Sequence, residues 1–275
     1  MSHTYCMAFL TTPKLSPPDA VAVAAKCGYE WVGLRLQAPP GGYGPPIIDD
    51  PAIIRETAKR LKDTGMKVFD VDIVRLDADF SVAKYAKFLD VAGALGARAI
   101  LVAGDDPDEL RMIQNYAAFC AAARPFGITA DLEFMPWTKA SNVKIAHRIV
   151  AAANQPNGGV LVDALHFARC DATLADLEAL PRSMLHYAQI CDGPAEIPTT
   201  LEGLLHTARV ERMLAGEGGI DLTSIFTRLP DNILICVEIP SESRTASMGA
   251  EAWAKLCLDT SKTFMDGLPR TASRT

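Results

Sequence analysis

Short, strongly apolar runs alternate along this chain with longer amphipathic segments that are rich in alanine. Eight runs have the length and composition of buried strands, and they begin near Tyr5, Glu30, Met66, Arg98, Ile128, Gly159, Leu185 and Asn232. The segments between them have helical periodicity, at about 17–27, 51–64, 80–95, 107–124, 139–154, 173–180, 219–229 and 248–265. The pattern therefore predicts a strand followed by a helix, repeated eight times.

Helix-ending and helix-starting residues fall where this division needs them. Asp50 precedes Pro51 and Asp106 precedes Pro107, so each pair predicts an N-cap with proline at the first helical position. Glycines predict the ends of four helices, at Gly28, Gly65, Gly96 and Gly127. These signals support the helix assignments at both ends.

Buried strands with helices between them favour a parallel sheet, because each crossover covers one face of the sheet. Eight units without interruption favour a closed (β/α)8 TIM barrel over an open doubly wound sheet, in the α/β class. We expect one domain over residues 1–275, with residues 266–275 as a flexible tail. Two long connections, at 37–50 and from 192 to about 219, follow the second and seventh strands and are expected binding loops.

Composition narrows the class of partner. With 275 residues, 49% of them hydrophobic, the chain can bury a large core. The net charge of −6 argues against nucleic acid or an acidic membrane as the main partner. The seven cysteines include no CxxC pair, which indicates reduced thiols, and no run approaches the length of a membrane span. Together with a start that does not resemble a signal peptide, this predicts a cytoplasmic protein that binds a small molecule.

Four of the later strands end on a side chain that carries oxygen: Glu133, Asp163, Gln189 and Glu238. Burying such groups is costly unless they are paired. On neighbouring parallel strands they would meet at the carboxyl-terminal mouth of the barrel. Carboxylate and amide oxygens are a hard ligand set, so the sequence predicts one divalent metal ion, Mg²⁺ or Mn²⁺ rather than zinc.

Five stretches resemble the xylose isomerase-like TIM-barrel superfamily, the sugar phosphate isomerase and epimerase group that also includes inosose and 3-dehydroshikimate dehydratases. They are LEFMPW around Glu133, VDALHFAR from Val162, YAQICDGP from Tyr187, RVERMLAGEG ending at Gly218, and CVEIPS around Glu238. The resemblance implies that Glu133, Asp163, Gln189 and Glu238 hold the metal. Gln189 stands where the family has histidine, which hardens the ligand set and resembles the 3-dehydroshikimate dehydratase branch.

Other residues around the metal have candidate roles too, of which that of His166 follows from the resemblance. Glu133 and Glu238 would exchange a proton with the substrate, and His166 would contact its hydroxyl groups or transfer a proton. Arg209 and Arg212 are three residues apart and would share a helical face, and one of them would hold a carboxylate, phosphate or enediolate oxygen. By resemblance, Arg209 is the better candidate. The backbone amides of Gly216 and Gly218 could receive an anion, a weaker signal. Arg35 and Asp72 would line the far side of the pocket.

The favoured function is metal-dependent isomerisation or epimerisation of a small polyhydroxy carbonyl compound through an enediolate. The alternative is a dehydratase of a cyclic keto-polyol, of the 3-dehydroshikimate or inosose type, with His166 as the acid. Some such dehydratases carry a catalytic histidine where this chain has Met135. A barrel that binds a metabolite without turning it over is less favoured. Barrels of this family often pair, so a homodimer is the expected assembly.

Overall fold

The computed structural model describes residues 3–38 and 47–269, and within them eight parallel strands close into a barrel in sequence order. This confirms the predicted (β/α)8 architecture. Each strand pairs with the next, and β1 pairs with β8 to close the ring. The strands are β1 Tyr5–Met7, β2 Trp31–Arg35, β3 Lys67–Leu76, β4 Ala99–Gly104, β5 Thr129–Glu133, β6 Gly158–Asp163, β7 Tyr187–Ile190 and β8 Leu234–Val237.

The helices surround the barrel, and all eight predicted ones are present in the described part of the chain. The described residues form three further α-helices as well. In chain order the α-helices are α1 Pro17–Cys27, α2 Pro51–Thr64, α3 Ala86–Ala94, α4 Glu109–Ala123, α5 Val143–Ala153, α6 Ala164–Arg169, α7 Leu174–Glu178, α8 Leu201–Arg209, α9 Leu222–Phe226, α10 Glu242–Met248 and α11 Ala250–Asp266. No helix formed by the described residues is long and apolar enough to cross a membrane.

The predicted helix starts are right at one site and wrong at the other. Asp50 caps α2 by accepting hydrogen bonds from the Ala52 and Ile53 amides, with Pro51 as the first helical residue. The start predicted at Asp106-Pro107 is wrong, because α4 begins two residues later. Asp108 is the cap there, and the Asp106 carboxylate instead pairs with Arg111 inside the first turn.

Three short helices, α6, α8 and α10, were not predicted. Each follows a strand and begins at a capping side chain, Asp163, Thr200 or Ser241. Helix α8 lies in the long connection after β7, which is thus partly helical. Of the other long connection, residues 39–46 lie outside the described residues, as do residues 270–275 of the predicted tail.

A β-bulge in β3 changes which side chains enter the barrel. Val32 pairs with Val68 and Leu34 with Val71, so two residues of β3 face the single Gly33 of β2. One of the two, Asp70, lies so close to β2 that a Cβ on Gly33 would be 2.3 Å from its Oδ1 atom. Glycine at this position therefore makes the space for a carboxylate inside the barrel.

Candidate metal centre at the barrel mouth

The four residues predicted from strand ends converge on one end of the barrel. Glu133 and Asp163 are the last residues of β5 and β6, Gln189 is next to last in β7, and Glu238 follows β8. All four are buried. Gln189 Nε2 donates to Glu238 Oε1 at 3.0 Å. The predicted grouping is therefore present in the structure as four neighbouring polar side chains.

A guanidinium group lies between two of these carboxylates. Arg212 Nη1 is 2.5 Å from Asp163 Oδ2, and Nη2 is 2.9 Å from Glu238 Oε2. The remaining Nε donates to the Ala208 carbonyl at 2.8 Å, and the residue is only 3% exposed. The prediction that Arg212 shares a helical face with Arg209 is wrong, because α8 ends at Arg209. Its guanidinium is an internal counter-ion of the cluster.

One arginine does not balance three carboxylates, and the pKa values reflect this. Burial, followed by repulsion from Glu238 and Asp163, raises the pKa of Glu133 well above its ordinary value. Burial raises the pKa of Glu238 to about 8, although Arg212 acts in the opposite direction. Burial acts to raise the pKa of Asp163, but Arg212 and His166 together outweigh it, so the pKa is lowered. Fully ionised, the cluster would therefore carry more negative charge than its protein partners offset, and the raised pKa values reflect that excess.

The donor atoms fit a divalent cation. Gln189 Oε1 is buried and has no hydrogen-bond partner among the described residues, since the amide nitrogen of the same side chain already bonds to Glu238. A buried oxygen without a donor is costly and suits a cation. Three carboxylates and one guanidinium leave two formal negative charges, which a dication offsets. Oxygen donors of this kind suit Mg²⁺ or Mn²⁺.

His166 also lies beside the cluster. It is on the buried helix α6, and its Nε2 atom is 3.9 Å from Glu133 Oε1. Metal-ligating atoms of Glu133, Asp163 and His166 all lie within 4.8 Å of one another, so the imidazole is a further candidate ligand. Burial lowers the pKa of His166 to about 4, and its ring packs edge-on against Trp137 at 5.0 Å.

The glycine amides predicted to receive an anion do so, but the anion belongs to the protein. Asp192 Oδ2 accepts from the amides of Gly216 and Gly218, at 3.1 and 3.0 Å. Its Oδ1 accepts from the amides of Gly193 and Ile220. A Cβ on Gly218 would lie 2.2 Å from the Gly193 carbonyl oxygen, so this approach requires glycine. The three amides from residues 216, 218 and 220 hold the loop after Arg212 against the end of β7, and because all four amides bind Asp192 they are not open to substrate.

A cavity opens beside the cluster and brings the remaining predicted residues together. Its lining includes Glu133, Glu238 and His166. Four arginines line the same cavity: Arg212 of the cluster, and Arg35, Arg75 and Arg209. Asp72 lines it as well and pairs with Arg35, as expected for the far side of the pocket. Sequence reasoning did not select Arg75, although its position near the end of β3 was a signal of the same kind as the other strand ends.

Known proteins that are similar to this chain include a dehydratase, an IOLI protein and an epimerase. A 3-dehydroshikimate dehydratase of Pseudomonas aeruginosa is 29% identical over 132 residues, which are 48% of this chain and only 18% of that protein. The structure of an IOLI protein with a bound zinc atom superposes with a TM-score of 0.78 at 16% identity, over 98% of this chain and 100% of that one. A D-allulose 3-epimerase from Methylomonas sp. in complex with D-allulose has a TM-score of 0.70 at 18% identity, over 95% of this chain and 97% of that one.

At these identities the two structures establish a shared fold and nothing finer. The family model described as xylose isomerase-like TIM barrel matches residues 21–263, which include every residue of the cluster at the mouth. The chain therefore belongs to the xylose isomerase-like TIM-barrel family.

Proposed function

We propose that this protein is a divalent-metal-dependent isomerase or epimerase of a small polyhydroxy carbonyl compound. The observation that carries the proposal is the buried, unpartnered Gln189 Oε1 within a cluster of three carboxylates and only one guanidinium. Glu133, Asp163, Gln189 and Glu238 would hold Mg²⁺ or Mn²⁺. Bound there, the cation would polarise a substrate carbonyl and make the adjacent carbon more acidic.

The side chains around the cavity supply the proton chemistry. Glu133 is the last residue of β5, and Glu238 directly follows β8. The two carboxyl groups therefore approach the cavity from different strands. One can remove a proton from a substrate carbon while the other returns a proton, which yields epimerisation or aldose–ketose exchange. His166 is held neutral by its lowered pKa, so it is suited to hydrogen-bond a substrate hydroxyl.

A dehydratase acting on a cyclic keto-polyol is the second candidate. It is supported by the local similarity to the Pseudomonas aeruginosa 3-dehydroshikimate dehydratase and by glutamine at position 189. The elimination needs an acid beside the leaving hydroxyl. His166 is poorly suited to this role, since its pKa of about 4 leaves it without a spare proton at neutral pH, and Met135 lines the cavity where the resemblance would place another histidine. These features favour proton exchange without loss of water.

Incubation in D₂O tests the two reactions together. The protein is loaded with Mg²⁺ or Mn²⁺ and given ketoses, inososes and 3-dehydroshikimate, while deuterium uptake and water loss are followed. We expect deuterium uptake without dehydration. Water loss would favour the dehydratase instead.

Variants of the two glutamates test the metal centre itself. Glu133→Gln and Glu238→Gln should lose deuterium exchange and bind less metal, measured by elemental analysis after dialysis. Glu251→Gln, which removes one partner of an exposed pair with Lys26, is the matched control and should keep both. If both site variants retain full metal content and exchange, the proposal is wrong.

A further inference from the structure

A second group of candidate metal ligands lies inside the barrel, in the layer of side chains below the mouth. It consists of Cys6 on β1, Asp70 on β3 and Cys236 on β8, which are all buried. One ligand atom from each residue lies within 4.8 Å of the other two. Cys236 comes two residues before Glu238, and side chains two apart along an extended strand point to the same side. The group therefore lies directly beneath the centre at the mouth, and the chemistry proposed there gives it no role.

The spacing of the three side chains is close to that of zinc ligands. Asp70 Oδ1 lies 3.8 Å from Cys6 Sγ and 3.8 Å from Cys236 Sγ. Zinc binds thiolate sulfur at about 2.3 Å and carboxylate oxygen at about 2.0–2.2 Å in a tetrahedron, which places two such ligands about 3.5–3.7 Å apart. A thiol that only donates a hydrogen bond is a weak partner for a buried carboxylate. The distances therefore suit ligands of one zinc ion.

Strand pairing and one glycine hold these side chains in place. Cys6 and Cys236 are direct partners in the pairing of β1 with β8. Asp70 belongs to the bulged part of β3, and a Cβ on Gly33 would be 2.3 Å from its Oδ1 atom. Because the barrel backbone positions all three ligands, binding a metal requires little further ordering of the chain.

A buried hydroxyl group beside the three ligands has no partner of its own. Tyr187 on β7 is 0% exposed and packs in the same interior cluster as Cys6 and Cys236. Its hydroxyl oxygen has no hydrogen-bond partner among the described residues. Burial, followed by the charge of Asp70, raises the pKa of Tyr187 well above its ordinary value, so the hydroxyl is neutral and close to Asp70. A buried hydroxyl without a partner is costly, and this one can take the fourth position of a tetrahedral site.

The type of donor atom decides which metal the interior site would take. Two thiolates favour zinc over Mg²⁺ and Mn²⁺, whereas the mouth offers the oxygen atoms that those two ions prefer. Two thiolates and one carboxylate on Zn²⁺ leave a single negative charge. A neutral phenol is therefore a better fourth ligand than another anion.

We propose that Cys6, Asp70 and Cys236, with the Tyr187 hydroxyl, bind a structural zinc ion that ties β8, β1 and β3 together beneath the mouth. Binding converts both thiols to thiolates, and their protons pass to the solvent. The Asp70 carboxyl, whose pKa burial raises to about 7 in the metal-free protein, gives up its proton in the same step. The proposal does not depend on the reaction at the mouth.

Titration of the metal-free protein with Co²⁺ tests the site by its spectrum, with a phosphine reductant present to keep the thiols reduced. Co²⁺ replaces zinc in tetrahedral sites, and a thiolate bound to it gives intense charge-transfer absorption in the near ultraviolet that oxygen ligands do not give. We expect this absorption to reach a plateau with one Co²⁺ bound to sulfur. Added Zn²⁺ should remove it, and added Mg²⁺ should not.

Variants assign the absorption to its ligands. Cys6→Ser and Cys236→Ser should each remove at least half of it, and the double variant should remove all of it. Cys257→Ser replaces a buried thiol on α11 and, as the matched control, should keep it. Tyr187→Phe should keep the absorption but weaken Co²⁺ binding about 10- to 100-fold, the effect of losing a supporting polar group at a metal site.

The wild-type spectrum decides the matter even if a variant does not fold. The proposal is overturned if the wild-type protein shows no charge-transfer absorption, or if the folded double cysteine variant retains it. A structural role also requires that Zn²⁺ raise the urea concentration at the unfolding midpoint of the wild-type protein and leave that of the double variant unchanged. An equal midpoint with zinc and with a chelator would contradict it.

Glu133→Gln separates this site from the one at the mouth. Because Glu133 belongs only to the mouth, the variant should keep the full charge-transfer absorption while it loses the deuterium exchange described above. Loss of the absorption in Glu133→Gln would place the sulfur ligands on the metal at the mouth and would overturn the interior site. Absorption that persists in a protein without deuterium exchange would leave the interior zinc standing and remove the isomerase.

Discussion

The buried acids at the mouth of the barrel and those in its interior differ in how many protein groups pair with them. Glu133, at the mouth, and Asp131 point to the same side of β5 two residues apart, and Asp131 is fully partnered. Its Oδ1 lies 2.6 Å from His186 Nδ1, and its Oδ2 accepts from Thr129 at 2.6 Å. Glu133 has only His166 at 3.9 Å as an ion-pair partner in the described structure. Both are buried, so burial alone does not separate structural acids from functional ones.

Asp70 extends the comparison to the other side of the barrel interior. Its Oδ1 lies 3.8 Å from both Cys6 Sγ and Cys236 Sγ, in the space left by Gly33. The interior acids thus have nearby protein donors and glycines that make room for them. The acids at the mouth share one guanidinium and lie beside an amide oxygen without a donor. The informative feature is what remains unsatisfied, and the Gln189 amide oxygen is such a remainder beside the acids that line the cavity at the mouth.

The largest effect should come from removing the counter-ion at the mouth. Arg212→Leu leaves Asp163 and Glu238 buried without their positive partner, so the free energy of unfolding should fall by about 3–5 kcal/mol. Urea denaturation in the presence of a chelator measures it. Arg148→Leu, whose side chain is 55% exposed, should change little. If the two variants were equally stable, the buried pairs of Arg212 would contribute no more to stability than an exposed ion pair does.

A pH-dependent effect should follow at Asp70. Burial, followed by repulsion from Asp72, raises its pKa to about 7. A carboxyl with a raised folded-state pKa favours folding while it is protonated, so its contribution is complete below the ordinary value of about 4 and is lost as the pH rises through about 7. From pH 5 to pH 8 the loss should be about 2–3 kcal/mol.

Asp70→Asn should remove this dependence on pH, and urea denaturation at several pH values measures it. Asp171→Asn, at an exposed position, should keep the wild-type profile. An unchanged profile in Asp70→Asn would mean that Asp70 is charged in the folded protein, as the carboxylate of Asp163 is.

The smallest effect should come from His186. Burial lowers its pKa, but the hydrogen bond and the charge of Asp131 outweigh burial, and the net shift is upward. Its stabilisation is therefore complete below the ordinary histidine pKa of about 6.5 and is lost as the pH rises through the raised value. His186→Asn should remove the fall in the free energy of unfolding over this pH range. NMR titration of the imidazole in the wild-type protein measures the pKa shift directly.

His206→Asn replaces an exposed histidine and serves as the control for that measurement. If both variants lose the same pH dependence, the contact between His186 and Asp131 has no energetic role, and the interior acids are not distinguished by their partners.

The sequence was sufficient to predict the barrel and to place the four candidate metal ligands at one end of it. Strand and helix periodicity is local, and parallel strands in order bring Glu133, Asp163, Gln189 and Glu238 to one end without further information. What the sequence could not supply depends on contacts between distant residues. Arg212 reaches Asp163 because the backbone of Met213 pairs with that of Asp192 across the long connection, which no local pattern encodes. Asp70 enters the barrel because of a bulge opposite Gly33.

Short helices were missed for a related reason. Helix α8 is amphipathic but lies between loops, and α6 has only six residues, too few for periodicity to separate a helix from a turn. Their caps were visible, since Asp163 and Thr200 precede them. Asp163 is both a predicted metal ligand and the cap of α6, and its position at a strand end indicates only the first of these roles.

The carboxylate of Asp192 ties the two ends of the segment from Tyr187 to Ile220 together through hydrogen bonds made within that segment. Gln189 and Arg212 lie within it, and the amides that bind Asp192 come from the same stretch. Transfer of the whole segment into a related barrel should therefore carry the counter-ion in its correct position. Transfer of Arg212 alone would add the positive charge without the hydrogen-bonded loop that places its guanidinium next to the carboxylates.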